Sequence, residues 1–278
     1  MKFNENQLRI EPRDGYLKAL FRLVILFLIS ILALNCSLFG SEQAEFEEKL
    51  GYRIKILGFI TIGYAEMSTS QPTKKYERDV LILKARTWTT EFISTFHPVD
   101  DRIIAYWDLI KQRTLWSQKQ ILHGSFKRQY EAKFDFESRN LFWEQQGYPK
   151  NETGGQKEGV LAKIPPDFMD MLSAVYYSRI TPETGTPGST YLIDLFDDLK
   201  KTTLKMEIIR KEEIEVEIND QTRRIPSLVV KPFYQTTGLF HSKGDLTMWI
   251  SDDFHHWPLR ISANVALGTA EAELFEVK

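Results

Sequence analysis

The densest run of reactive side chains is Asp252-Asp253-Phe254-His255-His256. Carboxylates and imidazoles are the ligands of zinc and related ions, so the run invites a metal reading. The spacing works against it. Neighbouring side chains on a strand point to opposite faces, so His255 and His256 would converge only in a special turn. The run lies between two strand-like segments and just before Trp257-Pro258, where Asp commonly shapes a turn. A turn is expected here, and no metal. His97, His123 and His241 stand in no metal-ligand or triad spacing. Asp100-Asp101, Asp197-Asp198 and Glu212-Glu213 are the kind of paired carboxylates that sugar hydrolysis uses. At or near strand ends they read first as solvated faces or turns. GxSxG, HExxH, P-loop and GxGxxG patterns are all missing. The expectation is a protein that is not an enzyme and carries no cofactor.

Cys36 is the only cysteine in the 278 residues, and it follows an apolar run, Leu23 to Leu34 (LVILFLISILAL), that is preceded by Lys18 and Arg22. A basic stretch and then a short apolar stretch is the layout of a signal peptide. A secreted domain stapled by disulfides carries several cysteines, so a single one has no such role. Leu32-Ala33-Leu34-Asn35-Cys36-Ser37 resembles a lipobox, where a diacylglyceryl group is attached to cysteine before cleavage. Ala33 and Asn35 depart from the usual leucine and small residue, as in the looser boxes of spirochaetes. An uncleaved N-terminal anchor and a buried structural cysteine are the alternatives.

Aromatic residues make up 13% of the chain, a surplus that suits β-structure and apolar pockets. Core packing is the default reading. The alternative is an apolar groove beneath a helix, taking a lipid or other amphiphile, with Trp107, Trp116, Tyr176, Tyr177, Arg179 and Trp249 as candidate ligand-binding residues.

The elements that must position these residues are mostly strands. Tyr52, Ile54 and Ile56 alternate with Arg53 and Lys55, and Gly58 interrupts before Phe59 to Met67. Phe126 to Phe136 alternates cleanly and runs into a turn at Glu137-Ser138-Arg139-Asn140. Leu204, Met206 and Ile208, then Ile214, Val216 and Ile218, repeat the period, and Asn219-Asp220-Gln221 reads as a hairpin turn. One helix stands out at Phe168 to Ile180, opened by Pro165-Pro166 and closed by Pro182. Strands with one apolar and one polar face predict a mainly β fold: a large curved antiparallel sheet or partial barrel, with the helix covering its concave or open side. The expected layout is a signal peptide at 1–35, a tether at 36–49 and one domain at 50–278, with the best internal boundary in the polar, Gly-rich stretch near 145–160.

From Cys36 on the chain holds 31 basic and 35 acidic residues, which gives no reason to expect nucleic-acid binding. Two-thirds of that part resembles the exported bacterial family called domain of unknown function 3108. The resemblance rests on Met171-Leu172-Ser173-Ala174-Val175-Tyr176-Tyr177-Ser178-Arg179, Gly238-Leu239-Phe240, Gly244 to Asp253, Trp257-Pro258-Leu259-Arg260-Ile261, Gly268 to Leu274 and the opening stretch Tyr52 to Ala65. It implies export, β-rich structure and no assigned activity. The expected setting is the bacterial cell envelope, lipid-anchored on the periplasmic or outer-membrane face. The expected partners are membrane lipid through the N-terminus and either an amphiphile or another envelope protein. Hydrolysis of envelope polymer is the third reading.

Overall fold

The computed structural model describes residues 47–148, 156–179, 185–197, 199–236, 239–241, 246–265 and 268–278. Cys36, the signal segment, most of the tether, Asp198 and Pro182 lie outside them.

Alternation of apolar and polar side chains forces one face of each strand inward, and the chain obeys by building one continuous sheet. Its first half runs β1 (Glu48–Ile56), β2 (Ile60–Thr69), β3 (Thr73–Lys75), β4 (Arg78–Thr89), β5 (Asp100–Asp108), β6 (Arg113–His123), β7 (Phe126–Asp135), β8 (Asn140–Tyr148) and β9 (Lys157–Ala162). The second half runs β10 (Met169–Asp170), β11 (Thr190–Asp197), β12 (Lys200–Ile218), β13 (Gln221–Thr236), β14 (Leu239–His241), β15 (Thr247–Ser251), β16 (Pro258–Val265) and β17 (Gly268–Val277). The halves join where β17 pairs with β1, with Ile54 opposite Ala272. Among the described residues every strand pairing is antiparallel except the short β10–β11 contact. The sheet curls around a core that includes Leu50, Tyr52, Leu83, Trp107, Met206, Ile250 and Leu274.

Several local expectations hold. Leu204, Met206, Ile208, Ile214, Val216 and Ile218 are all buried, but they share one 19-residue strand rather than two. Asn219 and Asp220 make the hairpin turn with φ of 51° and 58°, the left-handed pair that a tight turn between twisted strands requires. On either side of residues 149–155, which lie outside the described residues, Gln145 pairs with Lys157 and Trp143 with Gly159, so β8 and β9 are neighbours in the one sheet.

The helix is shorter than its periodicity suggests. Helix α1 (Glu91–Ser94) is a single turn, and α2 spans Met171–Tyr177. The Pro165-Pro166 start signal is overruled by Asp170, whose carboxylate accepts from the N–H groups of Leu172 and Ser173 at 3.1 and 3.2 Å. Thr114 on β6 exchanges hydrogen bonds of 3.0 Å with the Asp170 carboxylate and N–H, which fixes this cap to the sheet. Phe168, released from the helix, fills a second cluster with Phe134, Leu141, Ile164 and Phe196. Met171, Leu172, Ala174 and Val175 are buried against the concave face. Burial of each large apolar side chain contributes about 1.5–3 kcal/mol, so the helix is part of the core rather than a loose cover.

Candidate functional site

Helix α2 lies across one end of the curled sheet, from Thr114 on β6 at its N-cap to Glu48 on β1 at its C-terminal side. Arg179 follows the helix by two residues. Its guanidinium donates to the two carboxylate oxygens of Glu48 at 2.6 and 2.8 Å. The Trp257 indole N–H donates to the same carboxylate at 2.8 Å. Burial alone would raise the Glu48 carboxyl, but the Arg179 charge and these hydrogen bonds outweigh it and hold the group below its ordinary value. Burial pushes the neighbouring Tyr52 phenol well above its usual range.

The six candidate residues divide between faces. Trp107 is buried, with the Tyr176 and Tyr177 rings 6.0 and 6.1 Å from its own. The Arg179 guanidinium stands 5.7 Å from the Tyr176 ring. These four form one cluster under the end of α2. Trp116 and Trp249 do not join it. Trp116 pairs with Tyr106 at 4.8 Å and donates its indole N–H to Glu131 at 2.7 Å. Trp249 donates to Glu212 at 2.5 Å. Each lies on a strand between inward-facing neighbours, Leu115 and Ser117 or Met248 and Ile250. Glu48, expected in the tether, instead opens β1. Its signal was the inward series Leu50, Tyr52, Ile54, which extends back one step to position 48.

Beside this cluster a shallow crevice with room for about one water is lined by Met67, Leu83, Leu172 and Tyr176, with Glu48 and Arg179 also in its wall.

The Asp252 to His256 run is a turn. One Asp253 oxygen accepts from the Ser251 hydroxyl and from the His255 and His256 N–H groups at 2.7, 3.0 and 3.2 Å. His255 stacks on Trp257 at 4.0 Å. Among the described residues no three His, Cys, Asp or Glu side chains are placed to hold a metal ion. The carboxylate pairs are tied up separately. Asp100 bonds to Arg86 and Arg102, Asp101 is buried against His123, and Glu212 bonds to Arg210.

The opposite end has a different character. The turn after β1 exposes Leu57 (53%), Phe59 (77%) and Ile60 (41%), and the α1 connection exposes Phe92 (73%) and Phe96 (75%). The two turns are neighbours, because Gly63 pairs with Thr89 and the Thr90 N–H donates to the Ile62 carbonyl at 3.1 Å. Phe92 and Phe96 meet edge to face at 5.6 Å. Gly58 breaks the strand as its sequence pattern predicts, whereas nothing local in the sequence marks the exposed apolar side chains around it.

One solved structure is similar in fold, and two others match more weakly. A β-barrel-like protein of domain of unknown function DUF1849 from Brucella abortus matches with a TM-score of 0.50 at 8% identity, over 88% of this chain and 98% of that one. An exported protein with a YmcC-like fold from Bacteroides fragilis matches with a TM-score of 0.36 at 6% identity, over 89% of this chain and 99% of that one. The lipoprotein LppX of Mycobacterium tuberculosis scores 0.19 at 12% identity, with 94% of each chain covered. No curated protein matches the chain. The family model described as protein of unknown function DUF3108 matches residues 51–274, which takes in the curled sheet and α2, and the chain belongs to that family.

Proposed function

We propose that the protein is a membrane-anchored lipoprotein of the bacterial envelope, held by a lipid on Cys36, whose β-rich domain binds a hydrophobic partner and does not catalyse. The observation that carries the binding reading is the exposed apolar end at Leu57, Phe59, Ile60, Phe92 and Phe96. A contiguous exposed apolar patch on a folded domain marks an interaction surface. Two measurements test the proposal. A palmitate analogue should label wild type and not Cys36→Ala; equal labelling would end the lipoprotein reading. A fluorescent apolar dye such as anilinonaphthalene sulfonate should bind the domain, and binding should drop in the Phe59→Ser/Phe92→Ser/Phe96→Ser variant. Unchanged dye binding would remove the apolar end as the acting surface.

A second reading has one observation in its favour. The crevice beside α2 combines an apolar wall at Met67, Leu83 and Leu172 with Arg179, Tyr176 and Lys84. Apolar and cationic lining side by side is the chemistry an amphiphile's chain and head would meet, and the crevice would have to widen to admit one. Native mass spectrometry of the protein expressed in bacteria tests it, and a spectrum with no co-purified amphiphile would sink it.

A further inference from the structure

We propose that the apolar end formed by Leu57, Phe59, Ile60, Phe92 and Phe96 inserts into the interfacial layer of a lipid bilayer. The inference rests on the reading that this end is the acting surface, and it is independent of lipidation at Cys36.

The shape favours lipid over a protein partner. Protein-docking patches hold their strongest anchors in packed, desolvated pockets inside a polar rim. Here the aromatic side chains sit outward on two turns, at 73–77% exposed. Projecting phenylalanines reach apolar surroundings most simply by entering a layer that yields around them.

The backbone supports a role for the Leu57 side chain. Its φ is 54°, in the left-handed region, where a bulky side chain is strained by roughly 1–2 kcal/mol. Asn or Gly would occupy that position with less strain. The Leu57 side chain rests on Gly268, where an added Cβ would lie 2.6 Å from it, and about half of it still faces outward, so the exposed half is available for an external apolar contact.

Charge and reach agree with the assignment. Over 57–60 and 91–98 the only ionisable side chains are Glu91 and His97, so attraction to anionic headgroups is not the driving term. The end lies one strand length from the chain's entry point. β1 spans nine residues, Glu48 to Ile56, roughly 30 Å at the usual strand rise. The stretch Ser37 to Glu47 reaches about 36 Å when extended. A lipid on Cys36 and the apolar end can therefore occupy the same leaflet with the domain turned back on its tether.

All strand partners described lie within residues 48–278, so the domain from Glu47 onward carries its own fold and can be tested alone. Phosphatidylcholine vesicles are the probe. The domain should co-float with them equally at low and high salt. The Phe59→Ser/Phe92→Ser/Phe96→Ser variant should bind at least about tenfold more weakly, with an unchanged melting temperature because all three side chains are exposed. A tryptophan introduced by Phe59→Trp should shift its emission to the blue when vesicles are added. One introduced by Leu192→Trp, at an exposed site on β11, should not. Absence of co-flotation, equal flotation of the triple variant, or flotation that needs anionic lipid and vanishes in salt would each overturn the proposal. If the dye still binds this end while vesicles do not, the surface docks a protein, and the bilayer assignment falls without the reading beneath it.

Discussion

Arg179 ties the end of helix α2 to Glu48, 131 residues away, through parallel hydrogen bonds of 2.6 and 2.8 Å. Both side chains are largely shielded, at 5% and 20% exposed. Breaking a buried pair leaves one charge uncompensated, which costs about 3–5 kcal/mol. Glu48→Ala should therefore lower the urea unfolding free energy by about that amount. The double change Glu48→Gln/Arg179→Met should cost less than Glu48→Ala alone. A double variant that is worse than the single would refute the pairing as the source of the loss.

The same contact sets a pH response. Burial raises the Glu48 carboxyl, but Arg179 and Trp257 more than reverse it, so the folded value lies below the ordinary 4.5. A carboxylate depressed on folding contributes stability that is fully present above the unfolded value and lost as pH falls through the folded one. Melting temperature should hold from neutrality to about pH 5 and fall below it. Glu48→Gln should flatten that acid limb. An identical limb in wild type and variant would show that other carboxylates govern it.

Asp170 carries the opposite sign. Burial raises its carboxyl above the ordinary 3.8 despite the hydrogen bonds from Ser173, Thr114 and Leu172. A raised carboxyl gives stability that is complete below the unfolded value and lost as pH rises through the folded one. Asp170→Asn keeps an acceptor for the helix N-terminus and removes the charge. It should be nearly neutral at pH 7, whereas Asp170→Ala should cost about 1–2 kcal/mol through loss of the cap. Thermal unfolding of both variants at neutral pH separates the outcomes.

Gly63 on β2 shows how closely the sheet is drawn. A Cβ there would sit 2.5 Å from the Trp88 carbonyl oxygen, whereas one at Gly159 would meet the Trp143 indole at 2.5 Å. A carbonyl held in the ladder cannot move aside, but an indole can rotate. Gly63→Ala should cost about 2–3 kcal/mol and Gly159→Ala less, as read by chemical denaturation.

Leu57 makes a trade-off testable. Leu57→Asn should stabilise the domain by about 1 kcal/mol, since Asn tolerates the left-handed backbone. The same change should weaken binding to phosphatidylcholine vesicles. Higher stability with undiminished binding would detach this residue from the membrane contact.

What was legible in the sequence is whatever depends on neighbours along the chain. The inward series of β12, the Asn219-Asp220 turn and the Asp253 turn all follow from side-chain period and local hydrogen bonding, which a few consecutive residues determine. The family was legible for the same reason, since its marks are short runs such as Met171 to Arg179, and the match over 51–274 bears it out. The tertiary structure alone decided which distant residues meet. Trp107 and Trp116 look alike in sequence, yet a register shift after Tyr106 and the phase of each strand put one in the core and the other outside. Glu48 looked like tether until Arg179 arrived beside it. The turns that carry Phe59 and Phe92 became neighbours because β2 pairs with β4. Strand pairing in a curled sheet is non-local: it brings residues far apart in the chain together by backbone hydrogen bonds, and the pattern along one strand gives its buried face but not its partner.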